Sequence, residues 1–189
     1  MSRWPACLRI CKVAKKYTKD YRVTDTLNEQ GRRERRVDYI GKTYVWYEAD
    51  AARKALRCAN GICAIGWAAW LLPLLPRSEA TQTWYVLPFF LFIALPLGLL
   101  SGALLQLRRS GEVLTHREAD QASNRIPGCG LFMTLLPLLS LAGETILFIR
   151  QRKLPGRADV LFALGALLLL ACGLLLRRMA PHFRAEIRE

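Results

Sequence analysis

Glu144 lies well inside an apolar run, Leu141-Ala-Gly-Glu-Thr-Ile-Leu147. A charge at the centre of a hydrocarbon layer costs roughly 3 kcal/mol on insertion scales, and Glu144 sits off the middle of its run, where the cost is lower. Such a carboxyl could carry a proton or a cation through the interior of a helical bundle. Ser140 stands one helical turn away on the same face. The structural alternatives are a protonated or hydrogen-bonded carboxyl that fixes helix packing, or a side chain that snorkels toward Arg150. The packing alternatives are preferred.

The remaining chemistry-bearing residues do not assemble into a motif. His116, Glu118 and Asp120 are spaced two apart with no second histidine near them, and His182 is alone in the tail. The stretch Arg108 to Gly128 therefore reads as a solvated polar loop. Of the six cysteines, Cys58, Cys63, Cys129 and Cys172 fall in or at the ends of apolar runs, where cysteine is a small packing residue. Cys7 and Cys11 share one helical face of the basic head, without the further ligands a metal site needs; palmitoylation there is a minor reading. No disulfide framework follows in a reducing compartment. HExxH, P-loop, GxSxG and paired CxxC patterns are all missing from the sequence, so no metal and no cofactor is expected.

What would position Glu144 is a set of four apolar runs, at about residues 58–75, 84–107, 129–149 and 160–176. Each approaches the ~20 residues a helix needs to cross a bilayer, and in lipid the backbone must satisfy its own hydrogen bonds. The expected fold is an integral membrane α-helical protein. It is a four-span bundle (58–176) behind a basic cytoplasmic head (1–57) and ahead of a basic tail (177–189). No apolar stretch precedes the charges of the head, so the first span is expected to act as the insertion signal.

The head carries 15 Lys/Arg against 7 Asp/Glu, and the whole chain has a net charge of +13. Such an excess can mark a nucleic-acid binder, but cytoplasmic retention of Lys and Arg explains it without one. With both termini inside, 23 Lys/Arg lie on the inner side and 5 on the outer. The third loop, Arg150 to Arg157, is itself basic. A re-entrant third run, interrupted by Pro137 and Gly143, gives the same 23 to 5 split. Four full crossings are preferred because the third run is long and Leu-rich.

Within the head, Trp4, Leu8, Cys11 and Lys15 recur at helical spacing among Arg9, Lys12, Lys16 and Lys19. This pattern predicts a short amphipathic helix contacting anionic inner-leaflet lipid or a partner. A solvated, frayed segment is the equal alternative. Residues 20–47 alternate in the manner of strands, with turns at Asn28–Gly31 and Gly41–Lys42. They predict a small antiparallel hairpin or three-stranded meander. Glu48 to Arg57 should be helical and continue into the first span, unless Asn60-Gly61 breaks it.

Gly98 and Gly102 form GxxxG in the second run. They predict close helix packing, within the bundle or at a homodimer seam. Kinks are expected near Pro96 and Pro137. Trp67, Trp70, Trp84 and Tyr85 are expected around the first outer loop, the last two in an interfacial belt.

Two functions fit these features. The first is a small non-catalytic membrane subunit or scaffold of a larger complex in the plasma membrane. The second is a transport component or membrane enzyme using Glu144, which would need oligomerisation to enclose a path.

Overall fold

The computed structural model describes residues 18–27, 33–76, 78–110, 113–151 and 155–187. Trp4, Arg9, Lys12, Lys15 and Lys16 lie outside the described residues, as do Cys7 and Cys11. Lys19 is described and exposed.

Strands β1 (Tyr21–Leu27) and β2 (Arg33–Tyr39) form an antiparallel hairpin whose register runs from Tyr21 opposite Tyr39 to Leu27 opposite Arg33. The expected third strand of a meander, β3 (Tyr44–Trp46), does not join them. The backbone N–H groups of Ile40 and Gly41 both donate to the Asp20 carbonyl, at 2.8 and 3.2 Å, which turns the chain out of the hairpin plane of pairing. A Cβ on Gly41 would come within 2.6 Å of the Tyr39 hydroxyl and 2.7 Å of Asp20 Cβ, so this turn closes only on glycine.

Helix α1 (Ala49–Leu71) follows directly and runs uninterrupted past Asn60-Gly61. A 3-10 turn, Leu72–Leu74, carries it to Pro73. A short helix α2 (Glu79–Gln82) is capped by Ser78, whose hydroxyl accepts from Thr81 N at 3.0 Å. Helices α3 (Leu87–Phe92) and α4 (Ala94–Ser110) are one path broken at Ile93. Pro96 lies one turn beyond that break. The Trp70 indole donates to the Phe90 carbonyl at 2.9 Å, at the point where the helix is interrupted.

The segment expected as a polar loop is largely helical. Strand β4 (Val113–Leu114) leads into helix α5 (His116–Asp120), a π-helical turn Gln121–Arg125 and helix α6 (Ile126–Gln151). Together they make a continuous 36-residue helix. It starts where it does because Glu118, three residues past Thr115, accepts from the Thr115 backbone N–H (2.8 Å) and hydroxyl (2.9 Å), a capping box. Helix α7 (Arg157–Met179), a 3-10 turn Ala180–Phe183 and strand β5 (Ala185–Ile187) complete the chain.

Four helices are long and apolar enough to cross a membrane: Ala49–Leu74, Leu87–Ser110, His116–Gln151 and Arg157–Phe183. They are apolar on both sides. Helix α7 buries Phe162, Ala166, Leu169 and Leu176 in the bundle, yet also exposes Leu164, Leu167, Leu168, Leu174 and Leu175. A helix hydrophobic all round belongs in a large core or in lipid. The core is completed by Phe90 against Phe162, with ring centroids 4.6 Å apart, and by Leu97, Leu100, Leu104 and Met133.

Strand β3 is the centre of a second sheet, flanked antiparallel by β4 and β5. Tyr44 pairs with both Leu114 and Ile187. This sheet gathers the head, the second connection and the tail at one end of the bundle, where Leu114 and Phe183 are fully buried. Helices α6 and α7 therefore run out from the sheet end and back to it. Pro137 lies inside α6 without ending it. The third run is one unbroken helix of spanning length, without the interruption expected of a re-entrant segment.

The closest helix approaches fall on glycines of α7. A Cβ on Gly173 would sit 2.7 Å from the Met133 carbonyl carbon and 2.8 Å from Thr134 N. One on Gly165 would collide with Pro73 and come within 2.8 Å of the Ala69 carbonyl oxygen. Around Gly98 and Gly102, both exposed, a Cβ would meet nothing within 4 Å. The GxxxG pair is thus not a seam within this bundle.

Gly173→Ala should lower thermal stability in mild detergent by about 1–3 kcal/mol, the usual cost of forcing a methyl group into a filled contact. Gly98→Ala should stay within about 0.5 kcal/mol of the parent. A destabilised Gly98→Ala beside an unaffected Gly173→Ala would reverse this assignment.

Candidate functional site

Away from the sheet, α6 and α7 line an open hollow of about 280 Å³, formed mainly by Leu141, Phe148, Val160, Ala163 and Leu164. Two carboxyls open on it, Glu144 and Asp159. Both are buried, at 4% and 5% exposure, and they are close enough to interact electrostatically.

Their surroundings set them apart. Asp159 Oδ2 accepts from Gly156 N at 3.0 Å at the start of α7, where the helix dipole favours negative charge. Its Oδ1 accepts from Glu79 N at 2.9 Å. Asp159 thereby ties the α2 connection to α7. Glu144 has no such donors: among the described residues no hydrogen bond or ion pair reaches its carboxyl. It makes no ion pair with Arg150. Ser140 is fully buried and shares the inward face of α6, but its hydroxyl donates to the Leu136 carbonyl at 3.1 Å and leaves Glu144 alone.

Asp159 stands at the start of an apolar run and does not interrupt it, so apolar patterning alone does not single it out. The spacing Gly156-Arg-Ala-Asp159, an acid three residues into a helix after a turn residue, is the pattern that marks it. A second polar group in the bundle was equally invisible. Ser101 Oγ accepts from the Trp67 indole at 3.0 Å, lies 3.2 Å from Cys63 Sγ and donates to the Leu97 carbonyl at 2.8 Å. Trp67 and Trp70 stack edge to face inside the bundle, with centroids 5.6 Å apart. Trp84, at 82% exposure, packs edge to face on Tyr85 at 5.7 Å.

At the sheet end, polar residues are tied into the fold. His116 Nδ1 is 3.2 Å from Asp20 Oδ2, and the His116 backbone N–H donates to the Tyr39 hydroxyl at 2.9 Å. That hydroxyl donates to the Lys42 carbonyl at 2.7 Å. Glu118 caps α5 and also accepts from the Ser110 hydroxyl. Asp120 accepts from the Asn124 amide at 2.7 Å. The buried Gln121 Oε1, in the π-helical turn, has no partner among the described residues. No cluster of three or more His, Cys, Asp or Glu suited to a metal ion occurs among the described residues. What this arrangement offers is one carboxyl tied to two backbone donors, Asp159, near one with no donor among the described residues, Glu144.

Asp159→Ala should lower thermal stability in mild detergent by about 1–3 kcal/mol, since it strips the acceptors from two backbone N–H groups. Glu144→Gln should leave stability unchanged or raise it, because it removes a buried charge that has no partner. An equal loss in both variants would show that Glu144 is held by a contact after all.

The chain matches no protein-family model, and no curated protein and no solved structure shows significant similarity to it.

Proposed function

We propose that this chain is a multi-pass protein of the plasma membrane and serves as a non-catalytic subunit or scaffold. In this reading its sheet end lies in the cytoplasm. The observation that carries the reading is the β1–β2 hairpin. It pairs with no other strand among the described residues, and in this reading its edges receive another chain. A two-stranded hairpin is marginal alone, and open edges recruit further strands. Its root is nonetheless fixed to the bundle, through Asp20 and Tyr39 to His116. A docked partner would therefore be held at a set position over the helices. Charge supports this side of the membrane: Arg108, Arg109, Arg177 and Arg178 stand in the last turns of helices that end near the sheet, and such residues are enriched on the cytoplasmic side.

A second reading rests on Glu144. A buried, unpartnered carboxyl beside Asp159 suits a proton- or cation-coupled step in an oligomeric transporter. Under this reading Glu144→Gln abolishes a proton or cation flux in reconstituted vesicles while expression is kept.

For the subunit reading, the full chain purified from native membranes in mild detergent should carry partner proteins at fixed stoichiometry. Replacing residues 22–38 by a short Gly-Ser segment should release them while the bundle keeps its unfolding temperature. A partner-free homo-oligomer from native membranes overturns the subunit reading and leaves the flux assay to decide the other.

A further inference from the structure

The end of the bundle nearest the sheet contains a basic groove between α1 and α4. One cavity, of about 420 Å³, is lined by Arg53, Leu56, Arg57, Asn60 and Arg108. A second, of about 150 Å³, shares Arg53, Leu56 and Arg108 with it and reaches Trp46 and Leu107. No acidic residue lines either cavity. Among the described residues neither Arg57 nor Arg108 is paired with a carboxylate. The Asn60 amide donates to the Leu56 carbonyl at 2.8 Å, which turns its side chain along α1 and leaves its carbonyl oxygen and second amide hydrogen for other partners.

Arg57 and Arg108 repel each other with no carboxylate paired to either among the described residues, and a fold that holds them so is less stable until an anion arrives. The volume of the larger cavity lies within the ~300–1,000 Å³ of small-ligand sites. Guanidinium groups present paired donors that match phosphate oxygens. The floor of the groove is apolar, from Leu56 and Leu107, and the groove sits where long apolar helices end. We infer that the Arg57–Asn60–Arg108 groove binds the phosphate of an anionic phospholipid, with the apolar floor under the lipid's glycerol and upper acyl carbons. A soluble phosphoester would offer the same phosphate chemistry without a use for that floor. The inference rests on the bundle being embedded in lipid and is independent of any partner at the hairpin.

The test uses the full chain, delipidated in mild detergent, with bound lipid counted by native mass spectrometry and unfolding followed by temperature. Phosphatidylglycerol should bind and raise the unfolding temperature; phosphatidylcholine should not. The double variant R57Q/R108Q should bind phosphatidylglycerol roughly 10–100-fold more weakly, the consequence of losing charged hydrogen bonds. The double variant R109Q/R178Q removes the same charge from residues outside both cavities and should weaken binding less than about threefold. Equal weakening in the two variants overturns the site in favour of diffuse surface attraction. Stabilisation by glycerol 3-phosphate as strong as by the lipid overturns the lipid as the source of the phosphate. Should R57Q/R108Q not fold, R57K/R108K keeps the charge but loses the paired donors, and binding unchanged by it overturns the proposal. A chain that stays micelle-bound and keeps its partners while showing no lipid preference sinks this inference alone.

Discussion

Three stretches of chain, Tyr44–Trp46, Val113–Leu114 and Ala185–Ile187, are hydrogen-bonded to one another in a single small sheet. They are separated by an α1-to-α4 pair of passes and an α6-to-α7 pair of passes. Because the backbone ladder holds all three at one end, each intervening segment must travel away and return. The number of passes in each is therefore even. That parity, imposed by a few β-bridges, is what the arrangement of the helices depends on. The bridges are few, and their strength comes from what they cover: Leu114 and Phe183 are sealed from solvent beneath them, while Tyr44 and Trp46 pack on the core.

The far end of the bundle is tied by a different force. There the chain has no strand pairing among the described residues, and its two outer connections are linked by the carboxylate of Asp159 through Glu79 N and Gly156 N. A charge-assisted hydrogen bond is about twice as strong as a neutral one, and it acts here in a buried place where water competes poorly. One end is thus held by a ladder of neutral bonds over an apolar plug, the other by one ion with two backbone donors. Between them, contact is set by glycine: Gly165 against Pro73 and Gly173 against the backbone of α6 let α7 lie close to both α1 and α6.

Much of this was legible in the residues. Four apolar runs of spanning length predict four long helices, and alternation from Tyr21 to Tyr39 predicts the hairpin, because both patterns are local. The glycine seam was not legible in the same way. GxxxG at Gly98 and Gly102 has the spacing of a packing motif, but spacing says nothing about which face of a helix meets a neighbour. The close contacts lie on Gly165 and Gly173, which meet different neighbours, Gly165 the end of α1 and Gly173 the backbone of α6. Of the two readings of residues 20–47 the hairpin holds and the meander does not, because strand pairing is not local: the partners of β3 lie in the second connection and the tail. The loop read at Arg108 to Gly128 failed for a different reason. Its polarity drew attention to His116, Glu118 and Asp120 as free groups, when Thr115 and Glu118 at capping-box spacing already announced a helix start. Glu144 was found because it interrupts an apolar run, and Asp159 was missed because it does not.

Charge at the two ends bears on the proposed orientation in a bilayer: the sheet end carries Arg57 and Arg108, and the far end carries both the buried carboxyls and the exposed Arg150 and Arg157. Neither Arg57 nor Arg108 is paired with a carboxylate among the described residues. Anionic lipid on the cytoplasmic leaflet contributes ~1 kcal/mol for each nearby cation, and the interior-negative membrane potential acts on the same residues in the same direction. Reversing the molecule would place the arginines against both influences and would leave the carboxyl pair facing an anionic surface. In the proposed orientation the pole that carries the hairpin faces the cytoplasm, within reach of soluble partners, and Glu144 lies in the outer half of the bundle.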